Sequence, residues 1–229
     1  MNFNLNDKTI VKEYFNTAGF DRWKRIYGDG EVNKVQKNIR VGHQQTIDTV
    51  LKWLKADGDL TGLSFCDAGC GVGSLSIPLA QMGAQVFASD ISENMITEAQ
   101  TNAERLLEDT SNLSFSVSDL ENLTGKYHTV ICLDVLIHYP DWDMEQMVLH
   151  LASLAESRVI VSFAPKTFVL SMLKKIGEFF PGPSKTTRAY QHKEADMIKI
   201  LSNNGFTIKR TGMTSTKFYY SRILEAVRT

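Results

Sequence analysis

Between residues 64 and 163 the chain switches again and again from apolar strand patterns to amphipathic helical ones. Strand patterns occupy 64–68, 84–89, 113–117, 129–137 and 158–163, and helical spacing fills 74–82, 92–108 and 144–155. A strand followed by a helix and then by another strand returns in its original direction, through a right-handed crossover. Such strands are parallel and covered on both faces, which suits their near-continuous apolar runs. A further helical pattern at 192–203 stops at Asn204-Gly205, with Gly205 as its C-terminal cap. Strand patterns at 206–213 and 218–226 follow, separated by a short Thr/Ser stretch, and predict an antiparallel hairpin at the sheet's edge. The expected fold is an α/β sheet of seven strands.

Ahead of the first strand, Ile47, Val50, Leu51 and Leu54 share one face of a helix expected to open near Gly42 and to end by Gly58. Residues 7–38 carry shorter helical patterns. Pro78 requires the 74–82 helix either to begin later or to bend. At 229 residues the chain holds one ordinary domain with about 30 to 60 residues of additions. A net charge of −1 argues against a dedicated nucleic-acid binder. No apolar run approaches the roughly 18 residues of a membrane span. Asp7, Lys8, Lys12 and Glu13 stand where a signal peptide would be apolar. Cys66, Cys70 and Cys132 have neither metal nor redox spacing, so a cytosolic protein with reduced thiols is expected. The charge is unevenly spread: residues 41–157 carry a net −13, flanked by +3 over 1–40 and +6 over 158–193.

The first strand pattern runs into Phe65-Cys66-Asp67-Ala68-Gly69-Cys70-Gly71-Val72-Gly73. Glycines at alternate positions let the backbone turn sharply and approach a ligand without an intervening Cβ. The spacing is G-x-G-x-G, not the G-x-G-x-x-G that sets a pyrophosphate on a helix N-terminus. Asp67, two residues before the first glycine, would crowd an anion and suit a cation. Asp90 ends the second strand pattern, where an acid grips a ribose diol. Asp119, in Ser118-Asp119-Leu120 after the third, can accept from an adenine amino group.

Over residues 40 to about 226 these features resemble the Rossmann-like S-adenosylmethionine-dependent methyltransferases. The resemblance implies a sheet order of 3-2-1-4-5-7-6, with S-adenosyl-L-methionine across the carboxyl ends of strands 1, 2 and 3. It implies cofactor contacts from Asp67, Gly69, Gly71 and Gly73, from Asp90 and Ile91, and from Asp119, Leu120 and Leu133. Arg40, in Arg40-Val41-Gly42, resembles the family's Arg-x-Gly, whose arginine reaches the cofactor carboxylate.

The fourth strand pattern ends Cys132-Leu133-Asp134-Val135-Leu136-Ile137-His138-Tyr139-Pro140-Asp141. His138, past the strand's carboxyl end and before a proline, is expected to project into the cleft. The segment resembles the L-x-H-x-P-D of small-molecule O-methyltransferases, including ubiquinone-pathway enzymes. No metal-ligand cluster is visible and no Asn/Asp-Pro-Pro-Tyr/Phe follows the strand, so an oxygen or carboxylate acceptor without a protein metal site is favoured.

Two additions are expected to choose the acceptor: an N-terminal arm or lid, residues 1–38, and an insertion, 165–190, in the domain formed by 39–229. The arm contains Phe15-Asn16-Thr17-Ala18-Gly19-Phe20-Asp21-Arg22-Trp23 and Ile26-Tyr27-Gly28-Asp29; the insertion mixes aromatics with lysines. With the Arg40-Val41-Gly42 motif and the glycine loop, these segments resemble the magnesium-protoporphyrin IX O-methyltransferase family of chlorophyll biosynthesis over nearly the full length. That resemblance implies methylation of one porphyrin propionate, giving the monomethyl ester. It also implies that Tyr27 bonds the acceptor and that His138 orients it or takes its residual proton. A propionate is already ionised at neutral pH, so positioning can carry much of the rate. The amphipathic lid would also suit an anionic, photosynthetic membrane surface, or the magnesium chelatase subunit that supplies the porphyrin. A quinone or phenol O-methyltransferase and a non-catalytic porphyrin carrier remain alternatives.

Overall fold

The direction of winding reverses between β1 (Ser64–Ala68) and β4 (Tyr127–Cys132), which pair in parallel at the middle of a seven-stranded sheet. On one side lie β2 (Gln85–Asp90) and β3 (Leu113–Val117), both parallel to β1. On the other, β5 (Ala155–Phe163) is parallel, followed by antiparallel β7 (Tyr220–Arg228) and β6 (Phe206–Ser215). The order β3-β2-β1-β4-β5-β7-β6 is the expected one. Ligands of such sheets bind over the carboxyl ends of the strands, at the reversal. This computed structural model describes residues 5–28, 30–166 and 190–229, so Asp29 and most of the insertion, 167–189, lie outside the described residues.

Central strands β1, β4 and β5 are buried almost end to end, whereas edge strand β3 is largely solvent-facing, as two-sided coverage requires. One face packs on α3 (Lys34–Asp57), α4 (Ser76–Gln81) and α5 (Glu93–Leu106), through Ile47, Leu54, Leu79 and Ile96. The other packs on α6 (Asp141–Leu154) and α7 (Glu194–Ser202), through Met147, Leu151, Met197 and Leu201. The arm supplies α1 (Leu5–Asn16) and α2 (Ala18–Tyr27).

Of the boundaries that differ from expectation, three have a clear local reason. The α4 helix starts at Ser76, so Pro78 falls in its first turn, where no intrahelical donor is lost. The α3 helix starts at Lys34 rather than near Gly42, opened by a capping box: Gln36 N donates to Asn33 Oδ1 at 2.9 Å, and Asn33 N to Gln36 Oε1 at 3.2 Å. It therefore runs unbroken through residue 38, the expected end of the arm. Gly42 sits inside it because a Cβ there would stand 2.3 Å from the Tyr219 ring. Finally, β4 ends at Cys132, not Ile137: Asp134 takes a positive φ of 60°, and residues Leu136–His138 form a single 3-10 turn.

Where β5, β6 and β7 meet α3, fully buried Glu225 lies between Arg158 (3.2 Å) and Arg210 (2.8 Å). Asp57 pairs with the same two arginines, at 2.8 and 2.5 Å. A register shift between Ile208 and Arg210 accompanies this arrangement in β6.

Candidate active site

The glycine loop forms the floor of a cleft of about 410 Å³, in the size range that encloses a small ligand. Gly69 has φ +86°, and a Cβ on it would come within 2.2 Å of Val135 Cγ2, so the loop can lie against the β4 turn only without a side chain. Gly71, also at positive φ, donates its N–H to Asp90 Oδ2 at 3.0 Å, while Ser92 N–H donates to Asp90 Oδ1 at 2.9 Å. Burial pushes the Asp90 carboxyl above its ordinary value, against the backbone donors of Ser92, Gly71 and Ile91. Asp90, Ile91, Asp119, Leu120 and Leu133 all line the cleft with Gly69 and Gly71.

Three expected cofactor residues are placed elsewhere. Asp67 is buried beneath the loop, where it accepts from Ser76 Oγ at 2.5 Å; burial lifts its carboxyl to about 6. Gly73 faces Ile77 and Ala99, where a Cβ would crowd the helices. Arg40 does not line the cleft: its guanidinium donates to the carbonyls of Ile26 (2.9 Å), Arg25 (2.6 Å) and Gly30 (2.8 Å). It clamps the end of α2, whose last carbonyls lack intrahelical partners.

That clamp brings the arm over the sheet. Tyr27 lies between Trp23 and His43, with ring centroids 5.4 and 4.6 Å away, and Phe15 meets His138 edge to face. At the other end Ser92 Oγ donates to Asn16 Oδ1 (2.8 Å), and Asn94 Nδ2 to Asn16 O (2.9 Å), fastening α1 to the start of α5. Tyr27 and His138, on different elements, thus share one cleft. Burial, and secondarily the charges of Asp134 and Asp90, drive the Tyr27 phenol well above its ordinary value. Burial lowers His138 to about 4, with Asp134 opposing, and its buried Nδ1 has no hydrogen-bond partner among the described residues.

A polar cluster that no spacing in the sequence announces lies beside them. Asp134 Oδ2 accepts from Tyr219 OH (2.6 Å) and lies 2.8 Å from His43 Nδ1; its Oδ1 accepts from Ser162 Oγ (3.0 Å) and Ser221 Oγ (3.2 Å). Burial opposes ionisation of Asp134, yet these bonds and the His43 charge hold its carboxyl below the ordinary value. The notch at Gly42 is what lets the Tyr219 ring lie on α3 and reach it.

Comparison with known proteins gives this geometry a family. Residues 132–228 match the family model described as "Magnesium-protoporphyrin IX methyltransferase C-terminus", and residues 65–157 match "Methyltransferase domain". The magnesium-protoporphyrin O-methyltransferase of Synechocystis sp. is 69% identical over 224 residues, 98% of this chain and 97% of that protein. The chain belongs to the magnesium-protoporphyrin IX methyltransferase family. The chloroplastic magnesium protoporphyrin IX methyltransferase of Arabidopsis thaliana is 57% identical over 96% of this chain and 71% of its own length. A crystal structure of the Synechocystis enzyme with bound S-adenosylhomocysteine superposes with a TM-score of 0.91 at 67% identity, covering 97% of this chain and all of that one.

For a member of this methyltransferase family the cleft has an apt division. Its β2 and β3 side offers carboxylates and a Cβ-free cradle at Gly71, which fit a nucleoside bearing a cationic tail. Its β4 side offers aromatic rings, the protonated phenol of Tyr27 and the neutral imidazole of His138.

Proposed function

We infer that the chain methylates one propionate carboxylate of magnesium-protoporphyrin IX, giving the monomethyl ester and S-adenosylhomocysteine, a step of chlorophyll biosynthesis. The observation that carries this reading is 69% identity along 97% of an enzyme named for that reaction. When bound, S-adenosylmethionine supplies an electrophilic methyl on a sulfonium. Asp90 accepts from the ribose, Asp119 from the adenine, and Gly69 and Gly71 leave room for the methionyl tail, with Ile91, Leu120 and Leu133 as apolar walls. The acceptor is already ionised, so the residues around it orient it and exclude water. Tyr27 donates its phenolic hydrogen to the acceptor and is not a base, because its environment keeps it protonated. His138, neutral at physiological pH, acts as a directional hydrogen-bonding group and contributes little positive charge.

Residues 1–38 serve as the lid of this site, since Phe15, Trp23 and Tyr27 line the cleft beside the sheet residues. The basic flanks, +3 over 1–40 and +6 over 158–193, suit docking on the chelatase subunit that delivers the porphyrin, or on an anionic membrane. No helix among the described residues is long and apolar enough to cross a membrane. Pull-down with the chelatase subunit and co-sedimentation with anionic vesicles separate the two partners. The activity is tested with purified protein, S-adenosylmethionine and a panel of porphyrin, quinone and phenol acceptors, read by product mass.

A further inference from the structure

A porphyrin carboxylate entering this cleft leaves water in the company of Asp90, Asp119 and Asp134, and no lysine or arginine is among the described residues that line it. Taking an anion from water into such surroundings is costly unless a donor or cation receives it. Tyr27 and His138 are neutral groups here. The other histidine on the cleft wall is His43, one turn of α3 beyond the committed Arg40. Resting on the reading of this cleft as a porphyrin-carboxylate methylation site, we propose that His43, oriented by Asp134, receives the acceptor's carboxylate through a hydrogen on Nε2.

The geometry prepares that ring for the task. Asp134 is ionised and can only accept, so His43 carries a hydrogen on Nδ1 across the 2.8 Å contact, which leaves Nε2 as the nitrogen available to a ligand. Asp134 is itself held by Ser162 from β5 and by Tyr219 and Ser221 at the start of β7, and keeps a left-handed backbone conformation that costs energy in any residue but glycine. Tyr27 packs on the His43 ring with centroids 4.6 Å apart and planes tilted by 43°, so the imidazole is held both by Asp134 and by this ring. Its place also separates acceptor from cofactor. Asp90 and Asp119 end or follow β2 and β3, whereas His43 meets the turn after β4, on the side that holds His138 and Tyr219. No proton has to leave the acceptor, so His43 is needed as a donor, with Asp134 and Tyr219 as positioning residues.

A carboxylate at Nε2 is received by one ring N–H while the other ring N–H is given to Asp134. The groups that bear on His43 are Asp134 from the β4 turn, Tyr27 from α2, Tyr219 from the β6–β7 turn and Asp67 from β1, with His138 acting on Asp134. Tyr27 and Tyr219 stay protonated and Asp134 stays ionised through neutral pH.

The test measures kcat and KM for magnesium-protoporphyrin, porphyrin affinity by fluorescence quenching and S-adenosylhomocysteine affinity by calorimetry. His43→Ala should raise the acceptor KM about tenfold or more while S-adenosylhomocysteine affinity stays within about threefold. His43→Gln, which keeps a donor, should restore part of the acceptor affinity. Tyr219→Phe should give a smaller rise in KM with S-adenosylhomocysteine affinity unchanged. If His43→Ala does not fold, the intermediate KM of His43→Gln carries the test. An unchanged KM in folded variants, or a loss confined to S-adenosylhomocysteine binding, overturns the assignment. Wild-type protein that binds no magnesium-protoporphyrin overturns the functional reading and the assignment with it.

Discussion

The ring of Phe15, on the arm, meets the ring of His138, after β4, edge to face with centroids 5.4 Å apart and planes at 83°. The contact buries the imidazole and is part of why His138 sits at about 4 rather than at its ordinary 6.5. Between those values the unfolded chain takes up a proton that the folded chain refuses. The stability His138 allows is therefore complete above 6.5 and is lost as pH falls toward 4, by at most about 3 kcal/mol. Asp67 runs the other way: raised from 3.8 to about 6, it binds its proton first in the folded state and offsets part of the loss. Denaturant titrations of wild type and His138→Asn at about pH 7 and about pH 5 separate the two, because the variant should lose less stability on acidification. Equal losses would mean that His138 titrates as an exposed histidine does.

Turnover should be sensitive to the same residue and to Tyr27. His138→Ala and Tyr27→Phe should each lower kcat by roughly one to two orders of magnitude, with S-adenosylhomocysteine affinity nearly unchanged, as expected of groups that orient the acceptor. Steady-state kinetics beside calorimetry check this, and full turnover in both variants would remove their roles.

On the cofactor side, Asp90→Ala removes a carboxylate that fastens Gly71 and faces the cleft, and should weaken S-adenosylhomocysteine binding by roughly 1–3 kcal/mol. Gly71→Ala is the better probe of the loop, because a Cβ at Gly69 would strike Val135 at 2.2 Å and disturb the β4 turn, whereas at Gly71 the nearest atom is Tyr27 Cε2 at 3.6 Å. Calorimetric affinities equal to wild type in both would displace the cofactor from this loop.

The parallel core and the edge hairpin were legible because alternation of strand and helix leaves few ways to connect parallel strands, and the order of the sheet followed from the family resemblance. The glycine loop was legible because its residues are consecutive in the chain, and Asp90 because it ends the next strand pattern. What sequence reasoning missed is held together across the fold. His43 and Asp134 meet over a long stretch of chain, and so do Asp134 and Tyr219, with no spacing that joins them. The apolar run Cys132–Ile137 read as one strand, although Asp134 within it already signalled a polar partner. Arg40 and Asp67 were placed in the cleft by motif; the structure uses one to end α2 and the other beneath the loop, since orphan carbonyls and Ser76 reach them first.

Removing one member of the buried ionic cluster should be expensive. Glu225→Ala leaves Arg158 and Arg210 facing a gap in the protein interior and should cost about 3–5 kcal/mol. Urea unfolding followed by circular dichroism measures it, and a change under about 1 kcal/mol would mean that solvent reaches the cluster.

The arm can be removed without harming the sheet if the cut respects α3. Deletion of residues 1–31 keeps the Asn33–Gln36 capping box. The truncated protein should lose methylation and porphyrin binding, while S-adenosylhomocysteine affinity stays within about tenfold, since Asp90 and the glycine loop remain. A truncated protein that methylates soluble porphyrin at the full rate would make the arm a tether and not a lid.

The most direct measurement is the mass of the product formed from magnesium-protoporphyrin IX and S-adenosylmethionine by the purified wild-type chain, run beside quinone and phenol acceptors. The monomethyl ester should accumulate with one equivalent of S-adenosylhomocysteine, and the other acceptors should be recovered unchanged. Porphyrin binding without ester formation, or methylation of a quinone or phenol in its place, would contradict the account.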